Sequence, residues 1–514
     1  MPNKSRLNEN TRPLKKAKAT SEFSGQLETQ INNLMKNKQF DDVLVILNYF
    51  LSNLPNASNA KIKRSEVYCL MGQFDNALTD LSDALAQDPN NVFALARRGD
   101  VYRQKNQLDN ALTDLNAALA QQPNNVFALA RRGDVYRQKN QLDNALTDLS
   151  AALAQQPNNV FALARRGDVY RQKNQLDNAL TDLNAALAQQ PNNVFALARR
   201  GDVYRQKNQL DNALTDLSAA LAQQPNNVFA LARRGDIYRQ KNQFDNALTD
   251  LSAALAQQPN IVFVLTRRGD VYRQKNQFDN ALTDLNAALA QQPNHVFALA
   301  RRGEVYRQKN EFDNALMDLN AALAQDPNYL FALVRRVEVY RQTNNFNNAL
   351  TDLNALLAQR PNDVFALGRR GEVYRQTNQL DNALTDLNAA LAQKPNDGFA
   401  LAIRGEIYRQ MNQFDNALRD LNAALAQKPN DVFALAIRGE VYRRKNEFDN
   451  ALMDLNAALA QDPNYVFALA RRGEVYRQKN EFDNALMDLN AALAQDPNYV
   501  FALARRGEVY RQKN

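Results

Sequence analysis

The chain is 514 residues long, with 45% hydrophobic and 23% charged residues, a formal net charge of +8 and a single cysteine. No stretch approaches the roughly 18 continuous apolar residues of a membrane-spanning helix, one cysteine excludes an internal disulfide and fits a reducing compartment, and the amino terminus has basic residues without the apolar segment of a secretory signal. The first 23 residues carry half of the positive excess, so the rest of the chain is too balanced to act as a whole as a phosphate-binding surface.

Residues 1–23 are polar and basic with no periodic apolar pattern, and they are expected to form a disordered tail. Within them Arg12-Pro13-Leu14-Lys15-Lys16-Ala17-Lys18 matches the short basic pattern read by nuclear import receptors. A plain flexible tail is the alternative. The expected location is therefore the cytoplasm, or the nucleus if Lys15, Lys16 and Lys18 act as an import signal.

From residue 24 onward the sequence repeats. Fourteen prolines, from Pro55 to Pro497, recur every 34 residues, and the unit beginning at Val92 reads VFALARRGDVYRQKNQLDNALTDLNAALAQQPNN. A fixed period of this length marks an array in which each unit buries its apolar face only against its neighbours. Numbering the proline as position 32 makes residues 24–57 a diverged first repeat. Regular repeats then run to Pro497, and a half repeat spans 500–514.

Each unit reads as two helices. Leu95, Gly99 and Tyr102 recur at helical spacing in the first, and Ala111, Leu112, Leu115, Ala118 and Leu119 form a wider apolar stripe in the second. Asn106, replaced by Gly72 in the preceding unit, is suited to the left-handed conformation that ends the first helix. Pro123 stops the second helix, and Asn124 and Asn125 are both candidates to cap the next one. Helices of about 13 residues are marginal alone, so stacking must stabilise them.

A helix–turn–helix of 34 residues with Leu95, Gly99, Tyr102, Ala111, Leu115, Ala118 and Pro123 in these places resembles the tetratricopeptide repeat, and the likeness runs from residue 24 to residue 514. The resemblance implies an all-α fold, a right-handed α-solenoid of stacked antiparallel helix pairs. It also implies a concave groove lined by positions 2, 6, 9 and 13 that holds an extended peptide. Here those positions are Phe127, Arg131, Asp134 and Gln138, then Phe161, Arg165, Asp168 and Gln172, then Phe195, Arg199, Asp202 and Gln206. At about 100° per residue this stripe points away from the seam formed by positions 4, 8 and 11. A solvated helix face with modest Arg131–Asp134 surface pairs is the alternative reading, and Arg137 lies on the flank of the stripe.

Several departures from the family pattern stand out. Arginine replaces the bulky apolar residue of position 7 from Arg64 to Arg506, while position 23 is aspartate from Asp80 to Asp488. In the first unit Gln30 and Ile46 remove both charges at once, which suggests a structural ion pair inside each hairpin, such as Arg98 with Asp114 or Arg132 with Asp148. Ile31, Val43 and Phe50 mark the first unit as an end cap. In the tenth unit Val337 and Leu356 replace small residues, and a local change in stacking is expected there.

The function expected from this pattern is a non-catalytic protein-interaction scaffold whose groove holds extended segments. Aromatic and arginine side chains at every hairpin suit acidic or repetitive extended peptides. The carboxylate clamp that the family uses for chaperone tails is absent apart from its arginine, and so is the asparagine ladder of its sugar-transferase arrays. The lone histidine His295 and lone Cys69 form no catalytic or metal-ligand pattern, so no enzyme activity, cofactor, metal or small-molecule substrate is expected. Nucleic acid would have only the tail and Arg137-type residues to bind. A different kind of reading is the substrate-binding arm of a larger enzyme, such as a glycosyltransferase, whose catalytic domain follows. It is suggested by Leu503, Gly507 and Tyr510, which lack a second helix to cover them.

Overall fold

The computed structural model describes residues 25–513. The basic segment with Lys15, Lys16 and Lys18, and the expected domain boundary at residue 23, lie outside them. The described residues form 29 helices and no strand. Consecutive helices pair as antiparallel hairpins in which a helix of 13 residues is followed by one of 14, as in Val126–Gln138 and Leu142–Gln155.

Local chemistry explains the boundaries. The Asn125 side chain accepts a hydrogen bond from the backbone N–H of Ala128 at 3.0 Å, satisfying a donor that the first turn leaves unpaired. Asn125, not Asn124, is the cap: only a side chain immediately before the first helical residue reaches that N–H. At the other end Asn140 adopts φ 59°, and the N–H groups of Asn140 and Gln141 return to the carbonyls of Arg137 (3.1 Å) and Tyr136 (2.8 Å), a Schellman closure. The second helix stops at Gln155, two residues before Pro157.

The two helices of a hairpin meet at a glycine. A Cβ on Gly133 would stand 2.7 Å from Cγ of Leu149 and 3.3 Å from the Ala145 carbonyl, so no larger residue fits without pushing the helices apart. Ala145, Leu149 and Ala152 are completely buried in this seam. The first helices also touch their counterparts in the neighbouring hairpins, Val92–Gln104 against Val126–Gln138 and Val160–Gln172 against Val194–Gln206.

The chain divides into two compact units, Met1–Pro259 and Asn260–Asn514. In the first, Ile31, Val43 and Phe50 fill the seam of the opening hairpin together with Ile46, Leu47 and Val67. Apolar volume there replaces the small residues and the ion pair of later hairpins. In the second, the enlarged Val337 and Leu356 are both buried. Leu356 lines a cavity of about 220 Å³ with Leu330, Val334 and Phe365, so the wider seam leaves an unfilled space beside it.

Candidate functional site

The stripe at positions 2, 6, 9 and 13 does not stand free of the stack. In the first unit Arg131 lies between two rings, its guanidinium carbon 4.9 Å from the centroid of Phe127 and 3.6 Å from that of Phe161 in the next hairpin. Arg165 repeats this between Phe161 and Phe195 at 4.9 and 3.6 Å, and Arg199 between Phe195 and Phe229 at 4.9 and 3.7 Å. The result is a ladder of alternating phenyl and guanidinium planes, each contact worth about 0.5–2 kcal/mol depending on its solvation.

Beneath the ladder runs a second row. Asp134, Asp168 and Asp202 have no exposed surface. Arg137 donates from Nε to Asp134 (2.8 Å) and from Nη1 to Asp168 in the next hairpin (3.1 Å). Arg103 and Arg171 make the same bridge to Asp134 (2.9 Å) and Asp202 (3.0 Å). Gln138, Gln172 and Gln206 each donate from Nε2 to the aspartate of their own helix, at 3.3, 3.2 and 3.3 Å. The amide oxygens of these glutamines remain on the half-buried face.

The surface pairing expected between Arg131 and Asp134 is replaced by a different connection. Side chains on a helix lean toward its N-terminus, so Arg137, three residues after Asp134, reaches back onto it, whereas Arg131 leans away. Arg131 instead brings Nε within 3.2 Å of Asp100 in the preceding hairpin, and Arg165 within 3.3 Å of Asp134. The aspartates of the expected groove are thus inward-facing links between hairpins, and the accessible part of the stripe is the arginine edges, the ring edges and the glutamine amides.

Electrostatics follow from this burial. Burial pushes the Asp134 carboxyl up, but the guanidinium groups of Arg165, Arg137 and Arg103 outweigh it and hold it at about 2. Asp168 and Asp202 are lowered in the same way. Burial brings Arg165 and Arg199 down to about 10, so both stay charged through the neutral range. Each hairpin from Phe93 to Arg205 therefore carries two stripe cations, at positions 6 and 12, against one buried aspartate. Arg131, Arg165 and Arg199 meet the carboxylates of the preceding hairpins as ion pairs at 3.2–3.3 Å, and the buried Nε of Arg131 and of Arg199 lacks the alignment of a hydrogen bond there.

The ion pair at positions 7 and 23 is separate from this face. Arg132 forks onto Asp148, Nε to Oδ2 at 2.7 Å and Nη2 to Oδ1 at 2.8 Å, and its Nη1 reaches Asn116 of the preceding hairpin at 2.8 Å. The bond to Asp148 raises the Arg132 guanidinium above its ordinary value against the cost of burial. Sequence reasoning passed over Asn116 and the bridging role of Arg137. Their signal was recurrence: Asn or Ser at position 25 and Arg at position 12 return in hairpin after hairpin without an apolar role.

In the second unit position 9 is glutamate from Glu304 onward, and the wiring changes. Arg307 forks onto its own Glu304 at 2.7 and 2.9 Å, and Arg443 onto Glu440 at the same distances, with Nη1 of Arg443 passing to Gln478 at 3.3 Å. One more methylene lets the carboxylate turn both oxygens toward the arginine of its own helix. His295 serves as a helix cap, with Nδ1 accepting from the Ala298 N–H at 3.2 Å. Burial pushes the Cys69 thiol up to about 11, which keeps it protonated at neutral pH. No described helix is long and apolar enough to cross a membrane.

Family comparison agrees with this geometry. Profiles described as tetratricopeptide repeat match residues 198–260, 266–329, 334–398 and 404–466, and also 128–159 and 468–499. A further profile described as TPR repeat matches 99–136 and 167–204. The chain belongs to the tetratricopeptide-repeat family. No curated protein matches it. Among solved structures, the array is similar to the APC/C hetero-tetramer Cut9–Hcn1, with 16% identity and TM-score 0.46 over 93% of this chain and 95% of that one. It is also similar to a tetratricopeptide repeat protein from Parabacteroides merdae, with 21% identity and TM-score 0.37 over 48% of this chain and 98% of that one.

Proposed function

We propose that this tetratricopeptide array is a non-catalytic protein-interaction scaffold that holds extended, acidic polypeptide segments along the row of its first helices. The observation that carries the reading is the set of arginines at position 6. Arg131, Arg165 and Arg199 are fixed between phenyl rings, and each approaches the carboxylate of the preceding hairpin through Nε, at 3.2, 3.3 and 3.3 Å, so their outer guanidinium edges are preorganised to receive a further acceptor. The cation excess of each hairpin favours carboxylates. Repetition of the same rung favours a partner that is itself repetitive, because added rungs raise the effective concentration of each further contact.

Single-stranded nucleic acid fits this face less well. Its bases need open aromatic faces to stack on, and the rings of Phe161 and Phe195 are each already engaged by two guanidinium groups, those of Arg131 and Arg165 and those of Arg165 and Arg199. The test is anisotropy of a fluorescein-labelled glutamate-rich peptide against the protein and against the triple variant Arg131→Met, Arg165→Met, Arg199→Met. Methionine keeps apolar volume between the rings while removing the charge. The expected result is an unchanged helical signal and at least about tenfold weaker binding, about 1.4 kcal/mol. Equal affinities would remove the ladder as the contact surface.

A further inference from the structure

In the tenth hairpin four positions of the repeat are enlarged at once. Leu330, Val334, Val337 and Leu356 stand where the unit beginning at Val92 has Val92, Ala96, Gly99 and Ala118. The glycine position matters most. In the following hairpin a Cβ on Gly371 would lie 2.8 Å from Cγ of Leu387, so a valine at this place holds the two helices apart. Val337 and Leu356 are buried, and Leu330 and Val334 are half-buried.

The ladder misses a rung beside this hairpin. Arg301 lies 3.7 Å from the Phe331 ring of the next hairpin, and Arg369 lies 4.3 Å from that of Phe399. Between them Arg335 stays over the ring of its own helix, Phe331 at 5.0 Å, with Nε 3.5 Å from Glu304 of the preceding hairpin. Among the described residues Phe365 meets only the guanidinium of its own helix, that of Arg369 at 5.5 Å, and its ring is 40% exposed. An open cavity of about 220 Å³ lies beside the uncovered ring, walled by Leu330, Val334, Leu356 and Phe365, with Arg360 and Asp363 completing its lining. Asp363 is engaged as a helix cap, accepting from the Ala366 N–H at 2.9 Å, whereas Arg360 is exposed.

We infer that this cavity is a side-chain pocket: it takes one leucine- or phenylalanine-sized side chain of the bound segment, whose neighbouring carboxylates meet Arg335 and Arg360. This rests on the proposed acidic-segment function and adds a hydrophobic anchor to its ligand. An apolar cavity of about 150 Å³ lined by leucine, isoleucine and phenylalanine is large enough for benzene. A space of about 220 Å³ therefore has room for one such group, and not for an apolar run. The entering side chain sheds water from itself and from four apolar walls. In the flanking rungs the preceding arginine lies on the phenyl ring, so the ring is already engaged; at Phe365 it is offered to the ligand. The cations select what stands next to the anchor, since the Arg335 side chain is 32% exposed and Arg360 is exposed as well.

The experiment compares two labelled peptides of about 18 residues, long enough in extended form for about six hairpins. One consists of glutamate and serine, and the other has a single central serine replaced by leucine. Anisotropy should show the leucine peptide bound about fivefold tighter or more, about 1 kcal/mol. The quadruple variant Leu330→Val, Val334→Ala, Val337→Gly, Leu356→Ala gives the tenth hairpin the residues of the regular unit. It should therefore fold, which circular dichroism checks, and bind both peptides alike. A second readout reports location: with a diazirine analogue of leucine at the central position, cross-links to wild-type protein should fall within residues 330–365.

Equal binding of the two peptides by wild-type protein would overturn the pocket and leave the acidic track standing. So would a leucine preference that survives in the quadruple variant, or cross-links that fall elsewhere. Binding of neither peptide, or displacement of both by a labelled oligonucleotide, would overturn the track and the pocket together.

Discussion

A single buried carboxylate, Asp168, shows what the inner row of charges does. Four side chains converge on it: Arg171 at 2.8 Å, Arg137 at 3.1 Å, Gln172 at 3.2 Å and Arg199 at 3.3 Å. Three belong to its own or the preceding hairpin and one to the next, so the charge is shared across the stack. Replacing it by asparagine keeps the shape but leaves three arginines with no countercharge at that point. Chemical denaturation of Asp168→Asn is expected to show a loss of about 3–5 kcal/mol, the range for breaking a buried pair on one side. A loss within the error of the measurement would mean that water, not the carboxylate, solvates these arginines.

The same residues set an acid limit. A carboxylate whose folded value is depressed contributes stability that is present above its unfolded value and is lost as pH falls through the folded one. For Asp134 that window runs from the ordinary 3.8 down to about 2. An acid titration followed by circular dichroism should therefore begin to lose helix below the ordinary carboxylate range. High salt should move the exposed charges more than this buried row.

At the scale of the helix pair, the close approach at position 8 sets the geometry. On Gly201 a Cβ would meet Cγ of Leu217 at 2.8 Å and the Ala213 carbonyl at 3.2 Å, whereas around Gly507 there is nothing within 4 Å. The two glycines should respond oppositely to alanine. Gly507→Ala gains helix propensity, up to about 1 kcal/mol, while at Gly201 overpacking of about 1–3 kcal/mol outweighs that gain. Thermal melts of the two variants would show it; a stabilised Gly201→Ala would mean that the hairpin opens without cost. The change from aspartate to glutamate at position 9 acts at this scale too. Arg307 forks onto the Glu304 of its own helix, while bridges between first helices persist in the glutamate hairpins, Arg369 to Glu338 at 3.2 Å and Arg341 to Glu372 at 3.6 Å.

At the scale of the molecule, the array is modular because every contact described is made within a hairpin or with a neighbour. In such a stack, stability is close to a sum of hairpin and interface contributions. Deleting residues 194–227, one whole unit, brings together hairpins that already carry matching faces, since Arg171 would meet Asp236 in place of Asp202. The shortened protein should keep its helical signal per residue and lose only a few degrees of melting temperature, roughly one interface of many. Loss of cooperative folding would show that the units are not interchangeable. Deleting half a unit should abolish folding of the surrounding hairpins, because it reverses which helix faces which.

The amino-acid order alone determined the helix pair, its turn and its period. These depend on local rules: asparagine tolerates the left-handed turn at Asn140, proline ends the helix at Pro157, and glycine and alanine recur where helices must touch. It also pointed to the aromatic and arginine stripe as the face to watch. What only the tertiary structure decided is which stripe residues remain accessible. A helical wheel places Asp134 beside Phe127 and Arg131 on one flank, but it cannot see that the next hairpin supplies Phe161 to cover Arg131, or that Arg103 and Arg137 draw the carboxylate inward. Those contacts join residues about one repeat apart, and whether such residues meet is set by how the hairpins pack, not by periodicity within one of them.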